Sequence, residues 1–231
     1  MPSTKIYNRK VYMLIDQSGS MVDPDPEFGN ERRWKALPEA IKGHVYNIME
    51  ETGLDNEKIC DHITVTFFSA NAPNPYSVDI YSEQEVKNIF LDNRPGTNTF
   101  IKPTLEKVID NYLSVRNNYK GGFIIIYTDG ILSDQSAFDN LVKSTCAKLD
   151  HQDDLKIIII GIGSDVERHP QHYLELDAWN NRDKNNNPCN IIVFDTLGRM
   201  PNIIDLLDRQ LVNPKAGLAE WGREFCPELY P

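Results

Sequence analysis

The chain has 231 residues, 40% hydrophobic and 25% charged, and a formal net charge of −10. That size and composition suit one soluble domain with a substantial core and exclude wholesale disorder. The acidic balance, with no basic cluster beyond the isolated pair Arg32-Arg33, excludes the basic face that nucleic-acid binding needs.

Val11–Asp16 is an apolar run that predicts a buried strand, followed by a loop at Ser18–Ser20. An acidic, proline-punctuated segment, Val22–Asn30, comes next and is expected to be a solvated rim loop. Trp34, Leu37, Ile41, Val45 and Ile48 recur at helical spacing to about Glu51, with Gly53 as the expected stop. Ile63–Phe68 predicts a second strand, and Tyr76–Tyr81 an edge strand paired antiparallel to it. A short helix is expected over Glu83–Phe90. Pro95-Gly96 opens a loop, and Leu105, Val108, Ile109 and Tyr112 mark a further helix with Pro103 in its first turn.

Gly122–Thr128 is almost continuously apolar, as a parallel strand covered on both faces would be. Phe138, Leu141, Val142 and Leu149 predict a helix, Leu155–Gly163 another buried strand, and Gln171–Ala178 a polar helix. Ile191–Phe194 reads as the last strand and Asn202–Leu211 as the closing helix. This alternation implies an α/β fold: a doubly wound, mostly parallel six-stranded sheet with one antiparallel edge strand and helices on both faces. Residues 1–211 are read as the domain, and 212–231 as a tail of unassigned role carrying Trp221, Phe225 and Tyr230.

No apolar run is long enough to cross a bilayer, and Met1-Pro2-Ser3-Thr4-Lys5 shows no secretory signal. Four dispersed cysteines (Cys60, Cys146, Cys189, Cys226) lack C-x-x-C spacing, so reduced thiols and a cytoplasmic location are expected rather than disulfides or a zinc site.

Chemistry concentrates in three loops. Asp16, Ser18 and Ser20 put a carboxylate and two hydroxyls at alternate positions behind a buried strand, a set of hard oxygen ligands suited to Mg²⁺. Gly96-Thr97-Asn98-Thr99 adds hydroxyls, with Thr97 preferred over Thr99 because it directly follows Gly96. Asp129-Gly130 brings a second carboxylate to the end of another strand. Ligands bind at the carboxyl ends of strands in such sheets, so fold and site agree. Asp23, Asp25 and Glu27 alternate like calcium ligands, but prolines break that pattern. Asp183–Asn187 fails as a calcium loop at Pro188, and Gly161-Ile162-Gly163 lacks the third glycine of a dinucleotide fingerprint. His169 and His172 are read as surface residues.

These three motifs, in this order and on these elements, resemble the von Willebrand factor type A (VWA) family with an intact metal-ion-dependent adhesion site. Asp16, Ser18 and Ser20 match its D-x-S-x-S motif, Thr97 its threonine loop and Asp129 its third motif. Stand-alone bacterial cytosolic members of the tellurite-resistance type look similar in style. The Val22–Asn30 segment and the tail have no family counterpart. The resemblance implies that Ser18 and Ser20 bind the metal directly, Thr97 directly or through water, and Asp16 and Asp129 through water or hydroxyls. It also implies that the last helix is the element that moves in adhesive members.

The expected function is a non-enzymatic, Mg²⁺-dependent module (Mn²⁺ or Ca²⁺ being feasible) that binds an Asp or Glu side chain of a protein partner. No nucleic acid or membrane is expected as a partner. The alternative is a Mg²⁺-dependent phosphohydrolase or phosphotransferase, disfavoured by the lack of a D-x-D acid and of a lysine accompanying the loops.

Overall fold

The computed structural model describes residues 2–69, 76–96, 98–130, 132–212 and 218–230. Six strands form the main sheet: β1 (Arg9–Asp16), β2 (Ile63–Phe68), β3 (Ser77–Ile80), β4 (Gly121–Thr128), β5 (Leu155–Gly161) and β6 (Ile192–Thr196). Their spatial order is β3-β2-β1-β4-β5-β6, with every pair parallel except the antiparallel edge pair β2–β3. The doubly wound sheet with one antiparallel edge strand is the one the sequence predicts.

Seven helices accompany the described strands: α1 (Arg33–Glu50), α2 (Val86–Leu91), α3 (Lys102–Val115), α4 (Gln135–Cys146), α5 (Ser164–Arg168), α6 (Gln171–Asp177) and α7 (Ile203–Val212). Strand alternation divides their packing. Val11, Met13 and Ile15 of β1, with Phe123, Ile125 and Tyr127 of β4, join one core with α1, α2 and α7. Tyr12, Leu14, Ile124 and Ile126 point the other way, into a second core with α3, α4 and α6. A strand buried on both faces must be apolar at consecutive positions, which is why β4 and β5 read as unbroken runs.

Several local expectations shift. Helix α1 holds Pro38 in its interior because Leu37, Ile41, Val45 and Ile48 are anchored in the core, and packing outweighs propensity. It ends before Gly53, which is no helix cap; its N–H instead bonds Glu57 O in a turn. The strand expected to run to Gly163 stops at Gly161, and α5 follows from Ser164, unpredicted. Helix α6 is not polar, since Tyr173, Leu174 and Leu176 are buried. Residues 218–230 pack back on the sheet: Trp221 lies edge-on to Phe194 at 6.0 Å and its indole N–H donates to Asp195 Oδ1 at 2.9 Å. The four cysteines are buried and unbridged.

Candidate metal centre

The strand order reverses between β1 and β4, and a crevice forms where neighbouring strands send their connections to opposite faces. Asp16 ends β1, and Asp129 directly follows β4, so both carboxylates reach that crevice. Asp16 is fully buried. Its Oδ1 accepts from Ser18 N at 2.8 Å and its Oδ2 from Thr128 Oγ1 at 2.8 Å.

Ser18, at 1% exposure, opens the short 3-10 turn Gly19–Val22, which brings Ser20 back toward β4. Ser20 Oγ donates to Asp129 Oδ1 at 2.9 Å. A hydroxyl has one proton, so in the 3.0 Å contact between Ser18 Oγ and Ser20 Oγ the donor is Ser18. The Ser20 proton is thereby taken by Asp129 and the Ser18 proton by Ser20 Oγ, and each oxygen keeps a lone pair.

Burial, reinforced by the nearby negative charge of Asp129, pushes Asp16 up to about 7 against the bonds from Ser18 and Thr128. Burial also raises Asp129, opposed by the Ser20 hydroxyl and the Arg33 guanidinium. Two sheltered carboxylates that disfavour joint ionisation are what a bound cation would compensate. Among the described residues no group of three or more His, Cys, Asp or Glu side chains is placed to hold a metal. A cation in this crevice would meet the Ser18 and Ser20 hydroxyls, with Asp16 and Asp129 bonded to the same loops. That oxygen-only set fits a hard divalent ion such as Mg²⁺, Mn²⁺ or Ca²⁺.

Thr97 lies outside the described residues. Its loop is tied to the first one: Gly96 N donates to Gln17 O, and Gln17 Nε2 donates to Arg94 O at 2.5 Å. Thr99 is held to the third loop, its carbonyl accepting from Ser133 N at 2.9 Å. Asp134 precedes α4, and its carboxylate accepts from Ile101 N and Lys102 N at the start of α3, at 3.1 and 2.8 Å.

The acidic segment after Ser20 is the solvated rim expected only in part: Val22, Asp23, Pro24, Pro26, Gly29 and Asn30 are exposed, but Asp25 is not. Pro24–Asp25 pairs antiparallel with Glu31–Arg32, and Asp25 is fully buried. Arg33, itself 4% exposed, explains the difference. Its Nε and Nη2 donate to Asp25 Oδ2 at 2.8 and 2.6 Å, its Nη1 to Asp129 Oδ2 at 3.0 Å, and its Nη2 to Asp165 Oδ2 at 3.0 Å. Burial alone would raise Asp25, but backbone N–H bonds and Arg33 hold it below its ordinary value. Gly163 completes the clamp at φ +88°, its N–H donating to Glu27 Oε2 at 2.6 Å. A Cβ there would sit 2.5 Å from Asp25 Oδ2 and 2.7 Å from Arg33 Nε, so this position needs glycine.

Arg33, Thr128 and Tyr173, whose hydroxyl donates to Gly130 O at 2.6 Å, were not singled out from the sequence. Thr128 carried a signal, being the hydroxyl residue at the end of an apolar strand. Arg33 carried none, because its partners lie 8, 96 and 132 positions away.

Comparison with known proteins agrees with this fold. Residues 10–194 match the family model of the von Willebrand factor type A domain. No curated protein matches the sequence. The fold is similar to the crystal structure of the SpRpn10 VWA domain, with 16% identity, TM-score 0.52, and coverage of 88% of this chain and 95% of that one. It is also similar to manganese-loaded TRAP protein of Plasmodium vivax, with 16% identity, TM-score 0.54, and coverage of 83% and 70%.

Proposed function

Because the chain belongs to the von Willebrand factor type A domain family, we propose that it is a protein-interaction module working through an intact metal-ion-dependent adhesion site. Ser18 and Ser20 would hold the ion directly, Thr97 would add the second loop, and Asp16 and Asp129 would stand behind the hydroxyls. The observation that carries this reading is the chain of bonds Ser18–Ser20–Asp129, in which Asp129 takes the Ser20 proton and the two hydroxyl oxygens, 3.0 Å apart, keep lone pairs. The ion bound there would supply an electrophilic position for an incoming carboxylate. Mg²⁺ is our choice of ion, from its preference for oxygen ligands; the manganese in the Plasmodium vivax TRAP structure supports a divalent ion in general.

This chain's residues favour recognition of an acidic side chain. Arg33 takes up part of the charge of Asp129, so less negative charge is left to neutralise the ion. Val22 and Phe100, on the first and second loops, are apolar side chains at 41% and 37% exposure, which suits a protein surface more than a small solute. We place the protein beside stand-alone cytosolic bacterial VWA proteins, a reading supported by four unbridged cysteines. No helix among the described residues is long and apolar enough to cross a membrane.

The raised Asp16 carboxyl also invites the enzymatic alternative, a Mg²⁺-dependent phosphoryl-transfer site. Against it, Asp16 is fully buried and both its oxygens are engaged by the protein's own donors. The test is capture of partners by immobilised protein in Mg²⁺, in EDTA, and with Asp16→Ala, alongside phosphatase assays. Capture that needs both Mg²⁺ and Asp16 is expected. Equal capture in all three arms, or Mg²⁺-dependent phosphate release lost in the variant, overturns the reading.

A further inference from the structure

A cavity of about 650 Å³ lies away from the metal centre. Its floor is the face of β1, β2 and β3 turned toward α3, and its outer wall is α3 itself. Strand β2 explains it. Ile63, Val65 and Phe67 go to the core with α1 and α2, so Thr64 and Thr66 must face the other way. Register brings Ser77 opposite Thr66 and Asp79 opposite Thr64 on β3, with Tyr12 of β1 opposite Thr64 on the other side. Where the rest of this sheet face presents Leu, Ile and Phe to helices, its edge presents hydroxyls.

Lys10 is 8% exposed and lines this floor. Its ammonium donates to His62 Nε2 at 2.6 Å and to Thr64 Oγ1 at 3.2 Å, and lies 5.3 Å from the centre of the Tyr12 ring. An ammonium cannot accept, so His62 meets it through an unprotonated nitrogen. Among the described residues Lys10 has no ion pair; Thr64 relays it to Asp79 Oδ1 at 2.6 Å. One of its three N–H donors remains. The Thr66–Ser77 pair, 3.0 Å apart, uses one proton between two hydroxyls and leaves the other. Lys107 lines the wall, so two lysines face one aspartate in this cavity of a chain whose net charge is −10.

We propose that this groove is a second binding site, for a small soluble sugar or polyol phosphate. Lys10 and Lys107 supply point charges for a phosphate. Asp79 and the Thr66–Ser77 pair supply the acceptors and donors that neighbouring hydroxyls require, and the volume is that of an ordinary small-molecule site. A membrane-borne phosphate would need a face that is basic beyond the groove, and the chain is acidic. The site does not depend on the metal centre.

The test is titration of ¹⁵N-labelled protein with glycerol 3-phosphate, ribose 5-phosphate and glucose 6-phosphate, against glucose and inorganic phosphate as controls. Saturable amide shifts at Lys10, Thr64, Thr66 and Ser77 are expected with at least one sugar or polyol phosphate. Lys10→Met should weaken that binding about tenfold or more, equivalent to about 1.4 kcal/mol. Ser77→Ala, at an exposed edge position, should weaken it in the same direction. Asp16→Ala should bind the sugar phosphate as the parent does, which separates this site from the metal reading. No saturable shift with any of the three up to about 10 mM, equal binding of inorganic phosphate, or unchanged affinity in Lys10→Met overturns the proposal.

Discussion

At the scale of single residues, Asp16 carries the most consequence, because a fully buried carboxyl is costly to ionise. Its carboxyl is pushed up to about 7, against an ordinary value of about 4. A carboxylate raised in the folded state holds its proton more tightly there than in the unfolded chain. The metal-free protein therefore loses stability as pH rises from about 4 through about 7. His44, pulled down to about 4 by burial, acts with the opposite sign below about pH 6.5, so the comparison belongs above that value. Asp16→Asn, which cannot ionise, should make the metal-free protein more stable at pH 8 by about 2 kcal/mol in urea unfolding. It should also abolish the stabilisation by Mg²⁺. A variant less stable than the parent at pH 8 would contradict this account. The sequence showed Asp16, Ser18, Ser20 and Asp129 because strand ends and alternating hydroxyls are local patterns. It could not show Arg33, whose meaning comes from three aspartates brought together only by the fold.

At the scale of elements, the Val22–Asn30 insertion is fastened to the centre rather than hanging beside it. Asp25 is locked by Arg33 at the start of α1, and Glu27 by Gly163 at the start of α5. Arg33→Met should cost about 3 to 5 kcal/mol in chemical unfolding, because it strands the buried Asp25 and Asp129 charges without a partner. Gly163→Ala should cost about 2 kcal/mol, since the left-handed backbone and the crowding against Asp25 and Arg33 both oppose a side chain. If either variant melted with the parent, the clamp would not be holding the insertion. The segment reads as a solvated rim, which holds for Asp23 and Asn30 and fails at Asp25 for a plain reason. Acidic residues are solvated by default, but a buried guanidinium supplies what water otherwise would.

At the scale of the whole molecule, residues 218–230 behave as part of the packed body. Trp221 meets Phe194 and Asp195, Arg199 lies 5.0 Å from the Trp221 ring centre, and Cys226 is buried in the α6-side core. Ending the chain at Val212 should expose β6 and lower the thermal midpoint by about 10 °C, corresponding to about 3 kcal/mol. An unchanged midpoint would show the tail to be a passenger.

Periodicity and strand-end chemistry in the sequence alone determined the six strands, their alternation with helices, and the three loops whose described residues the fold brings together. Those are properties of neighbouring residues and repeat every two or four positions. Only the tertiary structure decided that Arg33 joins the insertion to Asp129, that the tail closes over β6, and that Lys10 lines a polar groove beneath α3. Each of those depends on distant residues meeting across the sheet. Burial and charge compensation at such meetings are set by the assembled shape, and no local pattern encodes them.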